Sequence, residues 1–177
     1  MASRGIIWRL HNMNYLVCDK TRYTGKMPRF QYYYRKCQQS TGMLWLVYRA
    51  LFSICKRKKH IDLYYKTNIG GGLYIGHPYC ITINEKAVIG KNVNIHKGVT
   101  IGQENRGERK GTPVIGDEVW IGINSTIVGA IHIGNDVLIA PNAFVNCDIP
   151  DHSIVFGNPC IIKPKNNATE GYINNKV

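Results

Sequence analysis

Isoleucine or valine returns every sixth residue along most of the second half of the chain: Ile83, Ile89, Ile95, Ile101, then Ile115, Ile121, Ile127, Ile133, Ile139 and Val145. A helix places apolar residues every three to four positions and a half-buried strand alternates, so a sustained period of six matches neither element alone. It predicts a mainly β coil of three short, flat strands, each six residues long. A second inward position, four residues after each aliphatic, stays small or β-branched: Ala87, Val93, Val99, Val119, Ser125, Ile131, Val137 and Ala143. The residue after the aliphatic is often small (Gly90, Gly102, Gly116, Gly122, Gly134, Ala140), as a bend between faces needs. Two inward side chains per face give a narrow triangular prism, whose coils bury their aliphatics only by stacking on one another. The pattern covers about residues 69 to 163.

A perfect prism offers only flat faces, so a site is expected where the repeat breaks. Ile75 and Ile83 are eight residues apart instead of six, which bulges two residues around Gly76, His77, Pro78 and Tyr79. Ile101 and Ile115 are fourteen apart, which ejects a polar loop over 103–113. With no residue suited to anchor it in the core, that loop is expected to project outward. On the first bulge, His77 carries the side chain best placed to accept a proton near neutral pH.

The chain has 177 residues, a one-domain length, and 44% of them are hydrophobic, enough to bury a core. Its net charge of +12 is concentrated in the N-terminal third. Residues 1–60 hold thirteen lysines and arginines against the single acid Asp19, while the remainder is balanced. The segment Met43 to Cys55 reads as an amphipathic or largely buried helix ending in the run Lys56 to Lys59. It is too short and interrupted to span a bilayer. A helical cap closing the open end of the coil, with its charges in water, is the favoured reading; peripheral contact with an anionic membrane is the second. No nucleic-acid-binding motif accompanies the charge. The six cysteines show no CxxC spacing and the first residues no signal-peptide core, so a cytoplasmic chain with reduced thiols and no metal is expected, with the inner face of the membrane as the alternative location. The expected organisation is a basic, aromatic-rich helical region at 1–60, a β-helix domain at 61–165 and a C-terminal tail at 166–177.

The hexad pattern resembles the hexapeptide-repeat family, whose fold is the left-handed parallel β-helix and most of whose enzymes move acyl groups from acyl-CoA or acyl carrier protein. The stretch from Asp62 through Gly116 resembles serine acetyltransferase. Asp62, Ile69, Gly70, Gly72, Gly76 and His77, then Ala87, Val88, Ile89 and Val99, Thr100, Ile101, Gly102, follow that family's segments in register. The resemblance implies acetyl-CoA as donor, His77 as general base and Asp62 as the carboxylate that orients it. It further implies a homotrimer with coenzyme A in the groove between subunits, against Gly122, Ile123, Ala140 and Pro141, with Lys163 and Lys165 near the nucleotide phosphates. The acceptor side departs from the family. Gly76 stands where serine acetyltransferases have Asp, and Gly111, Thr112, Pro113 where they have Arg-His-Pro. Arg106, Arg109 or Lys110 are left as candidate cations for a substrate carboxylate.

These departures, with the loop 105–113 and the ending Gly157 to Ile162, resemble the serine-acetyltransferase-like proteins of bacterial surface-polysaccharide synthesis. A sugar hydroxyl is therefore the expected acceptor. The alternatives are true serine O-acetylation in cysteine biosynthesis and a catalytically inactive β-helix scaffold. A γ-class carbonic anhydrase shares the fold, but its paired histidines five residues apart are absent, and His96 and His132 read as surface residues.

Overall fold

A computed structural model describes residues 15–177. The early basic and aromatic residues Arg4, Trp8 and Arg9 lie outside the described residues. The six-residue period becomes three parallel stacks. The first face stacks β1 (Asn68–Ile69), β4 (Val88–Ile89), β7 (Val114–Ile115) and β10 (His132–Ile133). The second stacks β2 (Tyr74–Gly76), β5 (Asn94–His96), β8 (Trp120–Ile121), β11 (Val137–Ile139), β13 (Ser153–Phe156) and β14 (Ile161–Pro164). The third stacks β3 (Thr82–Ile83), β6 (Thr100–Gly102), β9 (Thr126–Val128) and β12 (Phe144–Val145).

From β1 to β12, neighbours in each stack are three strands apart in the chain, with Ile69 beside Ile89, Ile75 beside Ile95 and Ile83 beside Ile101. The chain therefore winds as a three-sided coil, and β13 adds a further parallel rung before β14 closes the second face antiparallel. The strands hold only two to four residues, shorter than six, because the rest of each hexad turns the corner. Both inward positions are filled as the period requires: Ile95, Ile101, Ile121, Ile127 and Ile139, with Val93, Val99, Val119 and Val137, have no exposed surface. Ser125 is tolerated among them because its hydroxyl donates to the Gly122 and Ala140 carbonyls at 2.9 and 3.1 Å.

Small residues at one corner have a steric cause. A Cβ at Gly70, Gly90 or Gly116 would lie 2.5–2.7 Å from the carbonyl oxygen of the next glycine in the column, at 90, 116 and 134 respectively. Stacked rungs leave no room there for a side chain.

The N-terminal region covers the open end of the coil with α1 (Arg29–Gln39) and α2 (Gly42–Arg57), preceded by a helical segment over 15–21. On its first two faces the first coil has no rung beneath it, so its peptide groups there need other partners. Arg35 donates to the Ile69 and Gly70 carbonyls at 2.8 and 2.6 Å, and Arg22 to the Gly72 carbonyl at 2.7 Å. Asp19 accepts from the Leu73 amide at 3.0 Å. The expectation that this cap exposes its charges to water is thus corrected at three positions, since Asp19, Arg22 and Arg35 are all buried. By contrast, α2 buries only Phe52. Met43, Leu44, Leu46, Val47 and Ile54 are exposed among the described residues.

Two other segments also depart from expectation. The loop over 103–113 is exposed from 103 to 110 but does not project freely, and Pro113 at its end is buried. Glu104 and Gly111 exchange two backbone hydrogen bonds of 2.9 Å, and the Ala130 amide donates to the Arg109 carbonyl at 2.9 Å. Backbone and side chains both anchor it, since Arg109 and Thr112 also donate to the Asn146 and Lys86 carbonyls outside the loop. The C-terminal residues, in turn, strap back along the second face: Asn92 is bonded to Val177, Asn94 to the Tyr172 carbonyl and Arg22 to the Asn174 carbonyl.

Candidate active site

The bulge after β2 can be located residue by residue. Gly76 pairs with His96, and the next rung contact is the Gly98 amide donating to the Tyr79 carbonyl at 3.1 Å. The same corner continues upward as Asn124 to the Lys97 carbonyl and Asn142 to the Ile123 carbonyl. Tyr79 and Cys80 therefore stand in register with Lys97 and Gly98, and the two inserted residues are His77 and Pro78. The insertion holds His77 at a φ of 54°, a left-handed conformation that a residue with a Cβ adopts at some cost. His77 is exposed and makes no hydrogen bond to a described residue. The bulge is braced from below: the Cys80 amide donates to the Lys59 carbonyl at 2.9 Å, and the Tyr79 ring packs edge-on against His60 with centroids 5.3 Å apart.

Asp62 and His77 are not brought into hydrogen-bond contact. Asp62 sits on an isolated bridge to Thr82, its carboxylate largely in water, with Lys56 Nζ 3.7 Å away. The donor positions are better grouped. Register across the second face aligns Gly76, His96, Gly122 and Ala140 in one outward column ending at the corner that carries His77. Gly122 is packed close against the next rung, with Pro141 N only 2.6 Å from where a Cβ would be. Ile123 and Ala140 are half-buried and Pro141 is exposed. Lys163 lies on β14 with Nζ over the Phe156 ring.

The acceptor candidates are scattered. The Arg109 guanidinium is engaged with the Asn146 carbonyl and the Thr112 hydroxyl with the Lys86 carbonyl at 3.2 Å, so neither is free to seize a substrate in this arrangement. Arg106 is exposed and shares a cleft of about 430 Å³ with Glu104, Glu108 and Phe144. That loop leaves the coil after β6 on the third face, whereas His77 follows β2 on the second. Within one chain the two breaks occupy different corners of the prism.

The sequence reading misplaced His96. It is a strand residue, half-buried, with its ring 4.7 Å from that of Trp120 and Nδ1 2.9 Å from the Ile121 carbonyl. Burial, more than the nearby His77, holds its pKa below the usual imidazole value. Counting hexads places His96 opposite Gly76, since each directly follows an inward isoleucine; that signal was available and unused. His132 lies on a different face, so the histidines do not converge.

The hexapeptide model described as "Bacterial transferase hexapeptide (six repeats)" matches residues 112–147. A serine acetyltransferase of Helicobacter pylori (strain 26695) is 34% identical over 114 residues, 64% of this chain and 67% of its own length. Serine acetyltransferase 4 of Arabidopsis thaliana is 36% identical over 121 residues, 66% of this chain but 34% of that protein. The chain thus spans about two thirds of the bacterial relative and about one third of the plant one. Among solved structures, the soybean serine acetyltransferase apoenzyme aligns with a TM-score of 0.69 at 25% identity, covering 87% of this chain and 69% of that one. The serine acetyltransferase of Brucella abortus strain S19 shares the fold, with a TM-score of 0.70 at 21% identity over 94% of this chain and 72% of its own. With its hexad coil, and a relative 34% identical of which it spans 67%, the chain belongs to the serine acetyltransferase family of hexapeptide-repeat acyltransferases, a family of O-acetyltransferase enzymes.

Proposed function

We propose that the chain transfers acetyl from acetyl-CoA directly to an acceptor hydroxyl, with His77 as general base. The observation that carries this reading is the two-residue insertion of His77 and Pro78, which leaves an exposed imidazole at the corner beside the Gly122 and Ala140 column. His77 takes the hydroxyl proton as the oxygen attacks the thioester carbonyl; the carbon–sulfur bond then breaks and the departing thiolate receives the proton. The donor track fits a thin pantetheine, because above His96 the outward column offers only the small residues Gly122 and Ala140. Ile123, Pro141 and Lys163 flank it, Lys163 as a cation for the nucleotide phosphates. Asp62 reaches His77 in this reading only by leaving Lys56.

Serine is the acceptor that the relatives favour, since each protein compared above is named for it, and a soybean structure is described as complexed with serine. The sugar acceptor expected from the sequence finds no support in those names. It stays as a second reading because Gly76, Arg109 and Thr112 supply no free charge for an amino acid. A trimer of left-handed coils suits the two breaks, since a second copy can bring its loop, with Arg106, to the His77 corner. We read the described part of 1–60 as the cap, 61–165 as the transferase domain and 166–177 as a strap. No described helix is long and apolar enough to cross a membrane. The exposed apolar positions of α2 beside Lys56 to Lys59 suit peripheral contact with anionic lipid, which vesicle co-sedimentation tests.

The central experiment measures free CoA thiol released from acetyl-CoA with L-serine or with sugars, for the native chain and His77→Ala. Loss of roughly a hundred-fold or more in the variant is expected for a general base. Equal rates would remove His77 from the mechanism, and sugars turning over faster than serine would install the second reading.

A further inference from the structure

His96 occupies the space that a side chain at position 76 would fill. Its ring lies over Gly76, so that a Cβ there would come within 2.8 Å of Cδ2 and 2.9 Å of Nε2. Its Nδ1 faces the Ile121 carbonyl at 2.9 Å. A carbonyl only accepts, so Nδ1 carries the proton and, in the neutral ring, Nε2 is a bare acceptor. The Trp120 ring packs against it at an interplanar angle of 49°. The desolvation noted above favours the neutral form.

The same imidazole lines a cleft of about 390 Å³ between the second face, the segment 22–26 and the C-terminal strap. Tyr74, Trp120 and Tyr172 give it aromatic walls, and Trp120 and Tyr172 meet edge to face at 5.1 Å. Its charged groups are Arg22, already bonded to Gly72, Asn94 and Asn174, and the exposed Lys26; no carboxylate lines it among the described residues. Such a lining admits a hydroxyl donor whose remainder is neutral or anionic and disfavours a cation.

We propose that this cleft is the acceptor subsite and that His96 Nε2 accepts a hydrogen bond from the acceptor substrate beside the hydroxyl presented to His77. Gly76 is glycine, on this account, because any side chain there displaces the ring. The inference rests on the acetyl-transfer reading for its kinetics and on geometry alone for its spectroscopy.

The test uses the full chain. In His96→Ala and His96→Phe the KM for the acceptor is expected to rise roughly ten-fold, as for one lost hydrogen bond, with the KM for acetyl-CoA unchanged. His96→Gln, which keeps an acceptor atom, should recover part of the loss. Ethanolamine, a cationic alcohol, is expected to be a poorer acceptor than L-serine or a neutral hexose. A changed KM for acetyl-CoA alone, or Gln behaving as Phe does, would overturn the proposal. Nitrogen NMR of the imidazoles in the native chain should show His96 as the Nδ1–H tautomer, with Nε2 shifting when acceptor is added. An Nε2–H tautomer refutes the role of His96 whatever the activity. A native chain that releases no thiol with any acceptor removes the acetyl-transfer reading, while the NMR result still judges His96.

Discussion

Asp19 grips Arg35 through both carboxylate oxygens, Oδ2 at 2.8 Å from Nε and Oδ1 at 3.2 Å from Nη2, with neither side chain exposed. The pair joins the helical cap to the prism, because Arg35 also donates to two carbonyls of the first coil and Asp19 also accepts from its Leu73 amide. Removing one partner of a buried pair strands the other charge. Asp19→Ala is therefore expected to lower stability by about 3–5 kcal/mol, read from urea denaturation. A loss under about 1 kcal/mol would mean the cap is held by its apolar contacts alone.

That ion pair also shows where the sequence stopped being informative. The prism was legible because a hexad period can bury its aliphatics in only one way, and Ile95 or Ile121 needs no knowledge of its neighbours to be placed. Arg22 and Arg35 were read as part of a solvated basic third, since what buries them is the unpaired backbone of a coil more than thirty residues away. The site was legible to the same extent. The inserted His77 breaks the count and can be seen, whereas the Arg109 carbonyl holding the Ala130 amide involves no side chain and cannot.

Because His77 and Pro78 are the two residues without a counterpart on the next rung, deleting both should restore an uninterrupted hexad. The expected product folds with unchanged or slightly raised stability, since one left-handed non-glycine residue is removed. It should show no thiol release above background. Circular dichroism with thermal melting and the thiol assay check the two halves separately; a deletion that unfolds the chain would show that the bulge is part of the scaffold.

Gly90 tests the steric account of the corner. Its Cβ would meet the Gly116 carbonyl oxygen at 2.5 Å, with the Asp117 carboxylate closer still. Gly90→Ala is expected to cost about 1–3 kcal/mol as overpacking, despite the usual gain from a stiffer unfolded chain. Gly25, whose Cβ would meet nothing, is the control: Gly25→Ala should leave the melting temperature within a degree or two. Equal effects at the two positions would remove stacking as the reason for glycine at 90.

Asp136 sets the acid limit of the strap. Burial pushes its carboxyl up, but hydrogen bonds from His152 at 2.8 Å, from the Thr169 amide and hydroxyl at 3.0 and 2.7 Å, and from the Ala168 amide at 3.0 Å outweigh it and bring the pKa from 3.8 to about 2. A carboxyl whose folded pKa is depressed contributes its stability above the unfolded value and loses it as pH falls through the folded one. The contribution is therefore complete above about pH 4 and fades toward about pH 2, and its size is on the order of 1–2 kcal/mol. Asp136→Asn should lower stability by that amount at pH 7 and match the native chain near pH 2. Urea midpoints measured across that range decide it: parallel curves for the two proteins would show that the strap is held without the carboxylate's charge.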